Sequence, residues 1–227
     1  MEFLPPLYRD AFKICHNLHI PFLWIDSLCI VQDDKKDWEV ESSHMSDYYH
    51  DSYITIAADM CKDPNVSLLT YRDEAFLPRN FTVWSRKGVP WSVRTREHGT
   101  STLLDGPLRS RAWVFQEHVL SRRILHFTSR QIIWECNTTI HSEDSEMDQE
   151  LIRPEVEGLR LNTLLHNFDN NPFATWSQIV FVYTCRKLTY STDKLPALSG
   201  VASRFQRLTG FSYLAGLWKE TLEFDLC

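Results

Sequence analysis

Apolar residues recur at helical spacing near the start of the chain: Leu7, Ala11, Ile14 and Leu18, with Phe12 and Cys15 alongside. The spacing predicts an amphipathic helix over about 6–18, introduced by Pro5-Pro6 and closed by Pro21. Phe22-Leu23-Trp24-Ile25 and Leu28-Cys29-Ile30-Val31 are continuously apolar runs split by Asp26. Apolar character on both faces predicts a strand buried on both faces, as in a parallel sheet. Asp33-Asp34 can cap a following helix over about 37–50, which carries Trp38, Met45, Tyr48 and Tyr49 on one side. Tyr53 to Ala58 reads as another buried strand. Helix, strand, helix, strand is the rhythm of an α/β fold, and the expectation is a mostly parallel sheet flanked by helices.

Residues 59–80 show no regular period. Phe81 to Trp84 and Val89 to Val93 predict short strands, with Pro90 confining the second to an edge. Gly99, Gly106 and Pro107 mark a loop, and 111–120 predicts a helix. Arg123 to Thr128 and Gln131 to Cys136 read as strands joined by a short turn. From His141 to Gly158 the chain is acidic and aperiodic, the pattern of a solvated loop. Two helices then follow. Thr175 is the expected cap of the first, with Trp176, Ile179, Val180 and Tyr183. Leu198, Val201, Ala202, Phe205 and Leu208 mark the second, ended by Gly210. Tyr213 to Leu222 predicts a third, short helix. The expected division is a core over 1–140, an acidic linker over 141–172 and a helical C-terminal extension over 173–227.

Composition narrows the class. Of 227 residues, 43% are apolar and 24% charged, as in a globular protein, and eight tryptophans imply aromatic anchors in the core. A net charge of −6 argues against nucleic acid, whose binders need a basic footprint. The six cysteines are scattered without a Cys-x-x-Cys pair, which suits reduced thiols in the cytoplasm. The nine histidines form no His-x-x-x-His pair, so no metal site is expected, and His16 and His19 read as surface or capping residues. No apolar run reaches the roughly 20 residues of a membrane span. The first residues lack the basic and apolar regions of a signal peptide.

One set of motifs goes further. Leu23-Trp24-Ile25-Asp26-Ser27-Leu28-Cys29-Ile30-Val31-Gln32-Asp33 is followed by Asp37-Trp38, Met45, Tyr49 and Thr55-Ile56-Ala57-Ala58. Gly106-Pro107-Leu108-Arg109-Ser110-Arg111-Ala112-Trp113-Val114-Phe115-Gln116-Glu117 comes next, then Leu120, Ser121, Arg123 and Trp134-Glu135-Cys136. Arg186 to Tyr190, Asp193 to Gly200 and Ala215 to Trp218 complete the series. In order and spacing these resemble the fungal heterokaryon-incompatibility domain. The aromatic, Leu-Ser-Tyr, Trp-Gly strand that opens that domain is missing ahead of Met1, so the expectation is an N-terminally truncated copy. The resemblance implies a cytoplasmic module of fungal allorecognition that promotes programmed cell death. Its implied partner is a second copy or another incompatibility protein.

That family is in turn similar, distantly, to Toll/interleukin-1 receptor domains. The likeness implies that Trp24-Ile25-Asp26 is a second strand and that Trp113 and Glu117 are the tryptophan and glutamate of a later helix. In the NAD-cleaving members of the wider group that glutamate is the catalytic carboxylate. Glu117 is therefore the candidate catalytic residue, with Asp26 and Trp113 as candidate ligand-binding residues. NAD would be a substrate, and no cofactor is expected. Trp113, Glu117 and Leu120 share one helical face, and a carboxylate on an apolar face needs a partner. Glu117 either pairs with Arg111, Arg122 or Arg123 or lines a ligand site. Asp26 either binds a ligand at a strand end or accepts backbone N–H bonds in a turn. Glu41 reads as a solvated helix residue, and Cys29, flanked by Leu28 and Ile30, as packing. The alternatives to an enzyme are a non-enzymatic interaction module and an inactive fragment.

Overall fold

The computed structural model describes residues 3–69, 79–95, 106–143, 161, 165 and 171–225. Helix α1 (Pro6–Asn17) has proline at its first position and buries Asp10, Ala11 and Cys15. Asp10 is held by Lys13, Ser67 and the backbone of Leu69, which fastens α1 to the segment after the first strand. Helix α3 (Lys35–Asp51) is capped by Asp34, whose carboxylate accepts from the N–H groups of Lys36 and Asp37 at 2.8 and 3.3 Å.

The stretch between these helices departs from expectation. Phe22 to Ile25 pairs with no strand among the described residues, and Asp26–Cys29 is a short helix, α2. Trp24-Ile25-Asp26 is therefore not a strand. The apolar run is covered only in part: Trp24 packs on Tyr48 and Tyr49, and Leu23 and Ile25 are half-buried, while Phe22 is 86% exposed. Cys29 and Leu28 are exposed as well, so Cys29 does not pack in a core.

Strand β1 (Thr55–Ala57) runs parallel to β4 (Arg123–Phe127), which pairs antiparallel with β5 (Ile132–Cys136), and β5 pairs antiparallel with β6 (Ile140–Ser142). The sheet order is β1-β4-β5-β6. The expected mostly parallel sheet is thus corrected to a mixed sheet with one parallel pair. The cause is connection length. Only β1 and β4 are far enough apart in sequence for a crossover, and the turns at 128–131 and 137–139 can only reverse the chain. β6 also takes residues 141 and 142 out of the expected acidic loop, whose residues 144–160 lie outside the described ones. β2 (Arg79–Trp84) and β3 (Pro90–Thr95) form a separate antiparallel hairpin.

Helix α4 (Ala112–Leu120) crosses into the main core. It packs with α5 (Pro172–Thr184) and α6 (Pro196–Thr209) around Phe115, Val119, Trp176, Ile179, Val201 and Phe205. Asn171, not Thr175, caps α5, with its side chain accepting from the Ala174 N–H at 3.1 Å. Gly210 ends α6 at φ 73°, as expected. The expected helix over 213–222 is instead a hairpin of β7 (Tyr213–Leu214) and β8 (Leu217–Trp218). A short helix, α7 (Leu222–Asp225), comes after it. The hairpin's turn residues Ala215 and Gly216 have φ of 51° and 102°, the left-handed pair that a two-residue turn demands. The turn delivers Trp218 onto Phe205 at 4.9 Å and Trp176 at 5.0 Å, and Trp176 Nε1 donates to the Gly216 carbonyl. That aromatic burial outweighs local helical preference.

Helices α4 and α6 approach closely at Gly200, whose N–H donates to Gln116 Oε1 at 2.8 Å. A Cβ there would lie 2.7 Å from Gln116 Oε1 and 2.7 Å from the Ser46 Cβ. Alanine gains about 1 kcal/mol of helix propensity over glycine, whereas overpacking costs about 1–3 kcal/mol. Gly200→Ala is expected to destabilise the chain by up to about 2 kcal/mol net, read as a lower urea midpoint at unchanged slope.

Candidate functional site

The four side chains from Trp113 to His118 that carry polar atoms point from α4 toward different neighbours. Trp113 Nε1 donates to Asp193 Oδ2 at 3.1 Å, and the Trp113 ring meets Trp38 of α3 edge-on at 6.2 Å. Gln116 binds α6. Glu117, one turn beyond Trp113, faces α3, where the Tyr49 hydroxyl donates to its carboxylate. Tyr49 is edge-on to Trp24 at 5.9 Å. Asp26, at the start of α2, is exposed, and its charge reaches both Glu117 and Tyr49. The structure thus puts Glu117 within reach of Asp26 and Tyr49, with Trp113 one turn away against Asp193 and Trp38.

None of the three arginines is in ion-pair contact with Glu117. Arg122 turns to His50 and Asp51. Arg123 donates to the Tyr53 carbonyl and lies over the Tyr53 ring. Arg111 lowers the Glu117 pKa only through its field. Glu117 keeps some accessible surface, yet burial in protein is the largest influence on its carboxyl. Burial and the like charge of Asp26 push it up to about 7, against the Tyr49 hydrogen bond and Arg111. Tyr49 is pushed well above its ordinary value by burial first and then by the charges of Glu117 and Asp26. The carboxylate of Asp26 also accepts from the Ser27 N–H at 2.6 Å, so the turn role read from the sequence is present. Glu41 is half-buried and accepts from the Tyr48 hydroxyl at 3.0 Å. Tyr49 belonged to the sequence pattern without a site role, because nothing local links residue 49 to residue 117.

A second polar cluster lies on the other side of α4. His118 Nε2 and His126 Nε2 both contact Glu135 Oε2, at 2.9 and 3.0 Å. His126 Nδ1 contacts Asp59 Oδ2 at 2.7 Å, and Arg109 Nε lies 3.9 Å from Asp59 Oδ1. All five residues are more than nine-tenths buried. Burial alone would raise the Glu135 pKa, but the two imidazoles hold it well below the usual carboxylate range. This cluster was not foreseen. His118, His126 and Glu135 stand eight and nine positions apart, spacings that carry no local signal until β4 pairs with β5.

The raised Glu117 pKa has a consequence for stability. The folded value, about 7, exceeds the ordinary value of 4.5, so the folded chain holds the extra proton between those pH values. Its stabilising contribution is complete below about pH 4.5 and is lost as pH rises through about 7. Glu117→Gln is expected to gain roughly 2–3 kcal/mol over wild type at pH 8, and little at pH 4.5, in urea unfolding. Equal gains at both pH values would contradict the assignment.

Residues 2–117, just over half of the chain, match the family model described as heterokaryon incompatibility protein. No curated protein and no solved structure matches the chain. The matched span runs from α1 through the Asp26, Trp38 and Tyr49 positions and ends on Glu117. The chain belongs to the heterokaryon incompatibility family.

Proposed function

We propose that this heterokaryon incompatibility domain promotes programmed cell death in allorecognition and that its proximal act is cleavage of NAD at the Glu117 site. The observation that carries the reading is the environment of Glu117: desolvated by burial, in ion-pair contact with none of Arg111, Arg122 and Arg123, within the field of Asp26, against Tyr49 and one turn from Trp113, whose rings in turn meet Trp24 and Trp38. Aromatic faces and two carboxylates suit a flat, cationic ring. The nicotinamide–ribose bond breaks with its electron pair passing to the pyridinium nitrogen, which leaves as neutral nicotinamide. An oxocarbenium-like ribose remains, and an ionised Glu117 stabilises it. Water adds to the ribose and gives up a proton, so NAD and water yield nicotinamide, ADP-ribose and a proton. A carboxyl with a pKa near 7 is matched to receiving that proton. The cationic ring favours the ionised carboxylate on binding and restores the charge the free site disfavours.

A second reading rests on a different observation. The β2–β3 hairpin exposes Phe81, Val83, Trp84, Val89 and Trp91, with the two tryptophans 67% and 64% exposed. On this reading the domain is a non-enzymatic interaction module that associates with itself or with another incompatibility protein through the hairpin. Among the described residues no helix is long and apolar enough to cross a membrane.

A death assay in fungal cells with NAD followed over time separates the two. Glu117→Gln and Glu117→Ala are expected to abolish both killing and NAD loss while remaining folded, a fall of at least ~100-fold in turnover for loss of the charge-stabilising group. Killing by these variants at the wild-type rate, with NAD constant, would transfer the function to the interaction reading. Trp84→Ser and Trp91→Ser would then be the variants that fail to kill.

A further inference from the structure

Asp59 and Glu135 outnumber Arg109 by one charge inside a buried cluster, so a further cation must balance them. A proton on His126 can supply it. The geometry points to another occupant as well: we propose that His118, His126 and Glu135 form a binding site for a single divalent transition-metal ion of the zinc class.

Three features carry this. First, His118 Nε2, His126 Nε2 and a carboxylate oxygen of Glu135 converge, with all ligand atoms within 4.8 Å of one another. Around a tetrahedral zinc such atoms stand roughly 3.3 Å apart. The present 2.9 and 3.0 Å separations open to that value if the carboxylate moves by a few tenths of an ångström. Second, Glu135 Oε1 is buried and has no hydrogen-bond partner among the described residues. A two-oxygen grip by Glu135 gives that atom a partner and completes four contacts. Third, ligation through Nε2 requires the proton of each ring to sit on Nδ1. In His126 that nitrogen already faces Asp59 Oδ2 at 2.7 Å. A carboxylate behind a ligating imidazole fixes its tautomer and raises its basicity. Two imidazoles and a carboxylate are the donor set of zinc and its neighbours rather than of calcium or magnesium.

The ligands come from α4, β4 and β5, and Asp59 follows β1. The ion would tie the helix bearing Glu117 to β4 and β5, and through Asp59 behind His126 to the segment after β1. Its role is structural, because the site is closed to solvent and leaves no position for a substrate. The inference does not rest on the proposed NAD chemistry.

The test uses the whole 227-residue chain, stripped with chelator and then titrated with Co²⁺ and with Zn²⁺. The expected result is one ion per chain and a cobalt visible spectrum of nitrogen and oxygen ligands. A higher Tm with Zn²⁺, reversed by chelator, accompanies it. His118→Gln keeps a donor to Glu135 but is no ligand, and Asp59→Asn removes the group behind His126. Asp59→Asn is expected to weaken binding by roughly 10–100-fold, and His118→Gln, which loses a ligand, by at least as much. A folded wild type that holds no stoichiometric ion and shows no Tm response would overturn the proposal and leave a proton as the balancing cation. Undiminished binding in His118→Gln, or a cobalt–thiolate absorption, would put the ion elsewhere and overturn it equally. If either variant fails to fold, the wild-type stoichiometry and spectrum decide.

Discussion

Helix α4 is nine residues long, and seven of them are buried, so its polar side chains have little water to fall back on. Each must find a protein partner or accept the cost of desolvation. Gln116 satisfies this with the backbone of α6, Trp113 with Asp193, and His118 with Glu135. The sheet, the C-terminal helices and α3 are therefore held in register by the side chains of one short helix. Phe115 and Val119 supply the apolar part of the same contact.

Two carboxylates near that helix meet opposite fates for one physical reason. Glu135 receives two imidazoles on a single oxygen, and their hydrogen bonds and charge overcome the penalty of burial. Glu117 receives one tyrosine hydroxyl, the distant field of Arg111 and the like charge of Asp26, so burial prevails. The first is a locked ion. The second is a group whose charge depends on what binds beside it, which is the property a reactive or ligand-sensing carboxylate needs. Adjacent positions in the chain, 117 and 118, feed these two centres because consecutive helical residues point about 100° apart.

Apolar surface is divided unevenly. Trp176, Phe205, Phe211 and Trp218 gather in one aromatic stack, while Trp84 and Trp91 of the hairpin remain largely exposed. The tryptophan count implied aromatic anchors in the core, which the stack supplies, and the hairpin tryptophans are not among them. Among the described residues its strands pair only with each other, so neither face is obliged to meet the core.

Helices whose apolar residues recur at the helical period were legible without any tertiary knowledge: α1, α3, α4 and α6 lie close to where the pattern puts them. So were the strands β4 and β5, the glycine end of α6 and the pairing of Trp113 with Glu117 on one face. These depend on neighbours within a turn or two, and the sequence carries that information directly. The fate of Phe22 to Ile25, the hairpin at 213–218 and the antiparallel half of the sheet depended on what lies across space. An apolar run does not say whether a partner strand or a pair of tyrosines will cover it. The same holds for the site. Asp26, Tyr49 and Glu117 are far apart in the chain, as are Asp59, His118, His126 and Glu135. The sequence by itself determined the family and the face of α4 that carries Glu117. Only the tertiary structure decided which charges meet there, because electrostatic and hydrogen-bonding partners are set by distance in space and not along the chain.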